Sequence, residues 1–200
     1  MTDFRRPELI RPEHEVADFD CGSEAQTVWL REDALQAARA ESSRVYVSCA
    51  SGTNLVAGFY ALAAGGVARG KAPSRISQGL GRNPIPVVIL TRLGVDRRYQ
   101  RHGLGRSLVH DALLQTASAA DLVGVRALLV HAENAEAATF YARISAAFTE
   151  SPTDPLHLLL LMKDLRSAIR TAATPPPLRP AVAGLTATEA LLAERGEDPR

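Results

Sequence analysis

The segment that most limits the architecture is Leu90–Leu114, LTRLGVDRRYQRHGLGRSLVHDALL. A β-branched strand, Val87–Val95, runs into Asp96 and the loop Gln100-Arg101-His102-Gly103-Leu104-Gly105. A helix begins within that loop and covers Gly103–Ala120. Gly103 and Gly105 let the backbone turn sharply and approach a ligand with no Cβ in the way. The freed N–H groups at the helix start, with the positive end of the helix dipole, make an anion cradle. Arg97, Arg98, Arg101 and Arg106 add charge around it. A glycine pair before a helix is equally compatible with an ordinary turn, so the motif by itself leaves both readings open. Two nucleotide motifs are excluded: there is no Gly-Lys-Ser/Thr of a Walker A loop, and only two glycines for a dinucleotide fingerprint.

The remaining pattern alternates strands and helices. Glu8–Phe19 reads as an edge strand plus a loop. Ser23 with Gln26 three residues on is a capping-box pattern for a helix over Glu24–Ala40. Arg44–Ala50 and Leu55–Leu62, separated by the turn residues Ser51-Gly52-Thr53-Asn54, read as a β-hairpin. Ala63–Pro86 reads as a long polar connection, of a length that in compact domains is usually functional or mobile. Val125–His131 is a buried strand, Asn134–Ser145 a helix, Leu156–Met162 a last strand and Lys163–Ala173 a short helix. After Thr174 the prolines Pro175, Pro176, Pro177 and Pro180 mark a linker. Beyond it, Thr186–Arg195 is too short for an independent helix and is expected to order only on a partner. The expected organisation is one domain, 1–173, followed by a tail, 174–200.

Composition narrows the class. With 46% hydrophobic and 22% charged residues the chain is not disordered as a whole. Cys21 and Cys49 cannot build a disulfide framework, and no Cys/His cluster suggests zinc. The first residues carry no apolar signal region, and no apolar run approaches the roughly 20 residues of a membrane span, so the expectation is a cytoplasmic protein. The net charge of +1 hides an uneven distribution: −4 over residues 1–60, +8 over 61–110 and −3 over 111–200. So basic a centre suggests an anionic partner, either cofactor phosphates or a nucleic acid; a solvated basic face is the alternative.

Gln100-x-x-Gly103-x-Gly105 between a long strand and a helix resembles the pyrophosphate-binding signature of the GCN5-related N-acetyltransferases (GNAT). Asn134-x-x-Ala137-x-x-x-Tyr141 is similar to that family's second signature. Further blocks resemble one branch, the acetyltransferase toxins of toxin–antitoxin modules that modify aminoacyl-tRNA. They are Phe19-Asp20-Cys21-Gly22, Trp29-Leu30, Gly58-Phe59-Tyr60-Ala61-Leu62, Arg92-Leu93-Gly94-Val95-Asp96, Val130-His131-Ala132 and Phe140-Tyr141. The resemblance covers residues 8–165. Two departures stand out. Gln26-Thr27 replaces the family's usual Leu-Asp, and Ile144-Ser145-Ala146-Ala147-Phe148 replaces the usual Phe-Gly-Phe after the Tyr helix and is about two residues longer.

The resemblance implies an α+β (α/β-like) fold: a single GNAT-type domain with a mixed, mostly antiparallel sheet splayed between two strands and flanked by helices. It implies that acetyl-CoA binds without a metal, its pyrophosphate on the amides of Arg101, His102, Gly103, Leu104 and Gly105, with Gln100 and Arg106 beside them. Leu93 and Val95 would offer main-chain groups to the pantetheine arm. Asn134 would hold the second strand's end, or serve only as a helix N-cap. Tyr141 would protonate the departing CoA sulfur, since a phenol of pKa ~10 lies near that of an alkyl thiol. His131 and His157 are candidate bases, and each is equally a strand histidine satisfied locally. Arg69, Lys71, Arg75, Arg82 and Arg92 would follow a tRNA acceptor stem by phosphate contacts. The implied partners are aminoacyl-tRNA, a small ribbon-helix-helix antitoxin and a second copy of the chain. The alternatives are an acetyltransferase for a small amine or a protein N-terminus, a non-enzymatic acyl-CoA-binding module, and a C-terminal tail that docks on its own basic face.

Overall fold

The computed structural model describes residues 3–172, so the expected linker and the Thr186–Arg195 segment lie outside the described residues. Its elements in chain order are β1 (Glu8–Leu9), α1 (Glu24–Val28), a π-helical segment (Trp29–Asp33), α2 (Ala34–Arg39), β2 (Arg44–Cys49) and β3 (Val56–Val67). There follow α3 (Ser74–Ser77), β4 (Ile85–Val95), α4 (Leu104–Leu122), β5 (Ala127–His131), α5 (Ala135–Ile144), β6 (Thr149–Ser151), β7 (Asp154–Leu161) and α6 (Met162–Ala172). The strands form one seven-stranded sheet in the order β1-β2-β3-β4-β5-β7-β6. Among these strands only β4 and β5 pair in parallel. The expected mixed, mostly antiparallel sheet is therefore present.

Three expectations need correction. The connection read as Ala63–Pro86 is shorter: β3 continues to Val67 and β4 starts at Ile85, with Gly65 opposite Val87 and Gly66 opposite Pro86. Two glycines hide a strand from propensity rules, because β-bridging supplies what their side chains do not. What remains of the connection holds a 3-10 turn (Arg69–Lys71) and α3. The single helix read over Glu24–Ala40 carries a π-helical segment at Trp29–Asp33. A three-residue strand, β6, follows α5 where none was expected.

Helices cover both faces of the sheet. On one face, α4 buries Leu104, Leu108, Val109, Ala112 and Leu113, a helical i, i+4 stripe, against Tyr60, Leu62, Val88, Leu90, Leu128 and Val130. On the other, the π-helical segment and α2 place Leu30 and Ala34 over Val45, Val47, Phe59 and Ala61. The 68–84 segment covers the same side further along, with Ile76 against Ile85, Val87, Ala127 and Leu129.

A bulge in β4 decides which way its last residues face. Ala61 lies opposite Arg92 and Leu62 opposite Leu90, so Thr91 is the extra residue. It switches the strand's facing: Val88 and Leu90 pack towards α4, and after the bulge Leu93 and Val95 do. Arg92 is thereby sent to the opposite face, its guanidinium 5.5 Å from the centre of the Trp29 ring. Bulges also raise local twist, which favours divergence of β4 from its neighbour.

Candidate active site

β4 and β5 pair only over Val87–Leu90 and Ala127–Val130. Beyond that point the last five residues of β4, Thr91–Val95, have no strand partner on the β5 side, and the sheet opens into a notch. The narrow part of the notch is lined by Leu90, Thr91, Arg92, Leu93, Gln26, His131, Glu133 and Tyr141, among others. It continues into a cleft of about 450 Å³ bordered by Cys21, Ser23, Gly94, Val95, Gln100, Arg101, Gly103, Gly105, Arg106 and Phe140. The strand-end main chain, the glycine loop and the tyrosine helix, distant in sequence, thus meet in one continuous opening.

The glycine loop has the form that anion binding needs. Gly103 is the N-cap of α4 at φ 82°, with no side chain capping the helix. The amides of Leu104, Gly105 and Arg106 therefore face outward without intrahelical acceptors. Arg101, two residues earlier, also has a left-handed backbone at φ 65°, and such turns of alternating hand gather successive N–H groups into an anion-binding concavity. A Cβ built on Gly105 would stand 3.5 Å from Phe140 and 3.6 Å from Val95, in the floor of the cleft. Three uncapped amides, a concave backbone and two exposed arginines (Arg101 and Arg106) suit a diphosphate.

The loop is fixed from behind. Asp96, 1% exposed, accepts bonds from the main-chain N–H of Asp20 and Arg98 and from Nε and Nη2 of Arg98, at 2.7–3.1 Å. Burial alone would raise its pKa, but the bonds from Arg98 and the Asp20 amide outweigh this and hold the carboxyl below the ordinary aspartate value. Gln100 does not offer its side chain to the cleft: Nε2 donates to the carbonyls of Cys21 and Val95, both at 3.0 Å. It pins the loop to the strand end. His102 Nδ1 lies 2.7 Å from the Gln100 carbonyl, reinforcing the same turn.

Tyr141 projects from α5 into the notch and is 6% exposed. Its hydroxyl has no hydrogen-bond partner among the described residues, and burial pushes its pKa up. The phenol therefore stays protonated at neutral pH, as an acid must before it donates. A thiolate leaving beside the buried ring would have its own basicity raised by desolvation, in the same direction as the phenol. The unusual segment after α5 still serves the tyrosine. Ser145 ends the helix, its main-chain oxygen accepting from Phe148 N–H at 3.2 Å, and the Phe148 ring packs 6.0 Å from that of Tyr141. Asn134 is the N-cap of α5, accepting from Ala137 N–H at 2.9 Å; the N-cap alternative describes its side chain.

The five basic residues read as nucleic-acid contacts do not lie together. Arg92 borders the notch. Arg69, Lys71, Arg75 and Arg82 belong to the 68–84 segment at the opposite end of β4, an 11-residue strand and so about 33 Å long. Two of them already have partners: Arg69 donates to the Leu80 and Gly81 carbonyls, and Arg75 pairs with Asp164 at 2.6 Å.

Several residues of the cleft were not read as site residues from sequence: Cys21, Ser23, Gln26, Gly94, Glu133 and Phe140. Gly94 is legible afterwards as a close approach, since a Cβ there would lie 2.8 Å from Phe59. Gln26 is more informative. The capping-box pattern had its side chain returning to the helix start, but only the Ser23 half forms, with Ser23 Oγ accepting from Gln26 N–H at 3.4 Å. The Gln26 side chain turns into the cleft instead.

The family model described as Acetyltransferase (GNAT) family matches residues 8–145. This chain is a GNAT acetyltransferase. It is 44% identical over 169 residues, 84% of this chain and 99% of the relative, to a protein of Mycobacterium tuberculosis named tRNA-acetylating toxin. Among solved structures it is similar to AtaT complexed with acetyl-methionyl-tRNAfMet, at TM-score 0.75 and 28% identity, covering 82% of this chain and 98% of that one. It is also similar to a tyrosine-to-phenylalanine mutant of the AtaT toxin bound to the C-terminus of the antitoxin AtaR and acetyl-CoA. There the TM-score is 0.69 and the identity 27%, over 84% of this chain and 99% of that one. GNAT enzymes take their acyl group from acetyl-CoA, and the cleft of this GNAT chain suits it: the uncapped α4 amides would hold the diphosphate and the unpaired edge of β4 would hold the amides of the pantetheine arm.

Proposed function

We propose that this GNAT enzyme is a toxin that transfers the acetyl group of acetyl-CoA to the α-amino group of aminoacyl-tRNA. The observation that carries the reading is a notch open through the sheet. On the α4 side it meets the diphosphate cradle and Tyr141, and on the α1 side Arg92, Gln26 and His131. Donor and acceptor thereby reach one carbon from opposite faces. The kinship with a protein named for tRNA acetylation supports the choice of acceptor.

The chemistry asks little more of the protein. A neutral α-amine adds to the thioester carbonyl and its nitrogen gives up one proton; the tetrahedral intermediate then expels the CoA sulfur, which takes the proton of the Tyr141 hydroxyl, and the phenolate regains a proton from solvent. Cradle amides and the β4 edge hold the donor so that its carbonyl meets the amine at the notch. The basic groups are spread along the sheet, Arg92 lying seven residues of β4, about 23 Å, from the strand start at which the 68–84 segment ends. A long polyanion bridges such a distance; coenzyme A alone does not need to. Phosphate contacts of this kind position without reading sequence.

The reading carries its partners with it: charged tRNA, a ribbon-helix-helix antitoxin that covers the basic surface, and a second copy of the chain in a homodimer. It places the enzyme in the cytoplasm, where charged tRNA is found; among the described residues no helix is long and apolar enough to cross a membrane. Controlled expression tests the toxin reading. The wild-type chain is expected to arrest growth with a fall in amino-acid incorporation, and Tyr141→Phe to be harmless at equal abundance. A harmless wild type contradicts the toxin role.

A further inference from the structure

Two polar side chains on the α1 side of the notch have no structural task that accounts for them. Gln26 Oε1 is buried without a hydrogen-bond partner, although the residue lines both parts of the opening. A buried amide oxygen left unpaired costs on the order of 1–3 kcal/mol, so its position calls for a donor from outside the chain. His131 ends β5 with its ring exposed at the notch. Strand alternation places Leu128 and Val130 towards α4 and His131 on the other face, the side from which Arg92 also projects.

His131 is held by its neighbours. It lies opposite His157 in the β5–β7 register, and the two rings stack with centroids 4.1 Å apart. His157 Nε2 is in turn 3.4 Å from Asp154 Oδ2. The charged or titratable groups around the imidazole are His157 and Asp154 from β7, Glu133 from the β5–α5 loop, Arg92 from β4 and Tyr141 from α5. Burial, and then His157, lower its pKa, while Asp154 opposes them. The ring is therefore neutral near pH 7, the form that accepts a proton.

We propose that Gln26 and His131 form the subsite for the acceptor's primary amine, with Gln26 Oε1 accepting one N–H and His131 taking the proton released by attack. This deepens the acetyltransferase reading and rests on it. The amine lone pair forms the N–C bond to the thioester carbonyl carbon, giving a tetrahedral centre with positively charged nitrogen. One N–H proton passes to the His131 imidazole, the C–S bond breaks, and the sulfur receives the Tyr141 proton. His131 then releases its proton to solvent and the Tyr141 phenolate regains one. Base and acid stand on opposite faces of the sheet, so that one reaches the nitrogen and the other the sulfur on a carbon placed at the notch.

Acetyl transfer is measured from labelled acetyl-CoA to total charged tRNA and, separately, to the amides of glycine, alanine and leucine. Rates are followed from pH 5 to 9 for wild type, Gln26→Leu and His131→Gln. On whichever acceptor the wild type uses, log kcat/KM should rise with a slope near 2 at low pH, because amine and imidazole must both be neutral. His131→Gln should show a slope near 1 and a kcat/KM about 100-fold lower at pH 7. Gln26→Leu should raise the acceptor KM about tenfold, and by several times more than it changes the acetyl-CoA KM. A thermal unfolding midpoint within a few degrees of wild type in both variants establishes that each is folded. A wild-type slope and rate in His131→Gln, or an unchanged acceptor KM in Gln26→Leu, overturns the subsite. Transfer only to the amides rejects tRNA as acceptor and leaves the subsite decided by the same slopes; transfer to neither overturns both.

Discussion

Ser23 and Glu133, 110 positions apart in the chain, meet across the cleft: Ser23 Oγ donates to Glu133 Oε1 at 2.6 Å. The bond ties the start of α1 to the loop between β5 and α5. Both residues line the cleft proposed for the donor, so the bond forms a strap over the notch. Because the bond is exposed to solvent, it adds little to stability; its effect falls on ligand exchange. Glu133→Ala should speed acetyl-CoA dissociation several-fold in stopped-flow displacement, whereas Glu133→Gln, which keeps an acceptor oxygen for Ser23, should dissociate at the wild-type rate.

Tyr141 separates catalysis from stability. Since its hydroxyl has no hydrogen-bond partner among the described residues, Tyr141→Phe removes no bond from the fold. Thermal unfolding should change by less than about 0.5 kcal/mol, and acetyl-CoA should bind as before. Single-turnover transfer should fall about 100- to 1,000-fold, the range for loss of a positioned general acid.

Asp96 should govern acid sensitivity. Its carboxyl has a folded pKa below that of the unfolded chain. The stability it contributes is present above the unfolded aspartate value of ~3.9 and is lost as pH falls through the lower folded value. Asp96→Asn should cost about 2–3 kcal/mol at pH 7, because a charge-assisted network loses its acceptor, and should flatten the loss of stability below about pH 4. Denaturant titrations at pH 7 and pH 3 measure both effects.

Gly103 tests the cradle. With φ at 82° and open space where a Cβ would stand, Gly103→Ala meets no clash but must take up a left-handed backbone. It should cost about 1 kcal/mol and weaken coenzyme A binding. Dephospho-coenzyme A, which keeps the diphosphate, should lose affinity for the variant in the same proportion. Calorimetry on both ligands checks this.

Much of this arrangement was legible in the residues. The strand–glycine–helix unit around Val95 and Gly103 declared itself because the glycine at the turn and the β-branched run before it are local properties. Tyr141 was reached through the resemblance of Asn134-x-x-Ala137-x-x-x-Tyr141 to the family's second signature. What escaped depends on contacts between distant segments. The bulge at Thr91, which turns Arg92 to the Trp29 face, exists only in the pairing of β3 with β4. The Gln100 side chain reads as a ligand contact in one dimension and is a pin between two carbonyls in three. Gln26 reads as half of a capping box, yet α1 lies against the notch and the side chain faces it. Arg69 and Arg75 share a charge-rich stretch with Arg92, while the length of β4 sets them at the other end of the sheet.

The most direct test of the central claim follows the label of [14C]acetyl-CoA into purified tRNA, charged or deacylated. Acid-precipitable label should appear on charged tRNA alone, and mild base should release it as an N-acetylated amino acid when the ester is cleaved. Tyr141→Phe should reduce it to background. No label on charged tRNA, or equal label on deacylated tRNA, would contradict acetylation of the α-amino group.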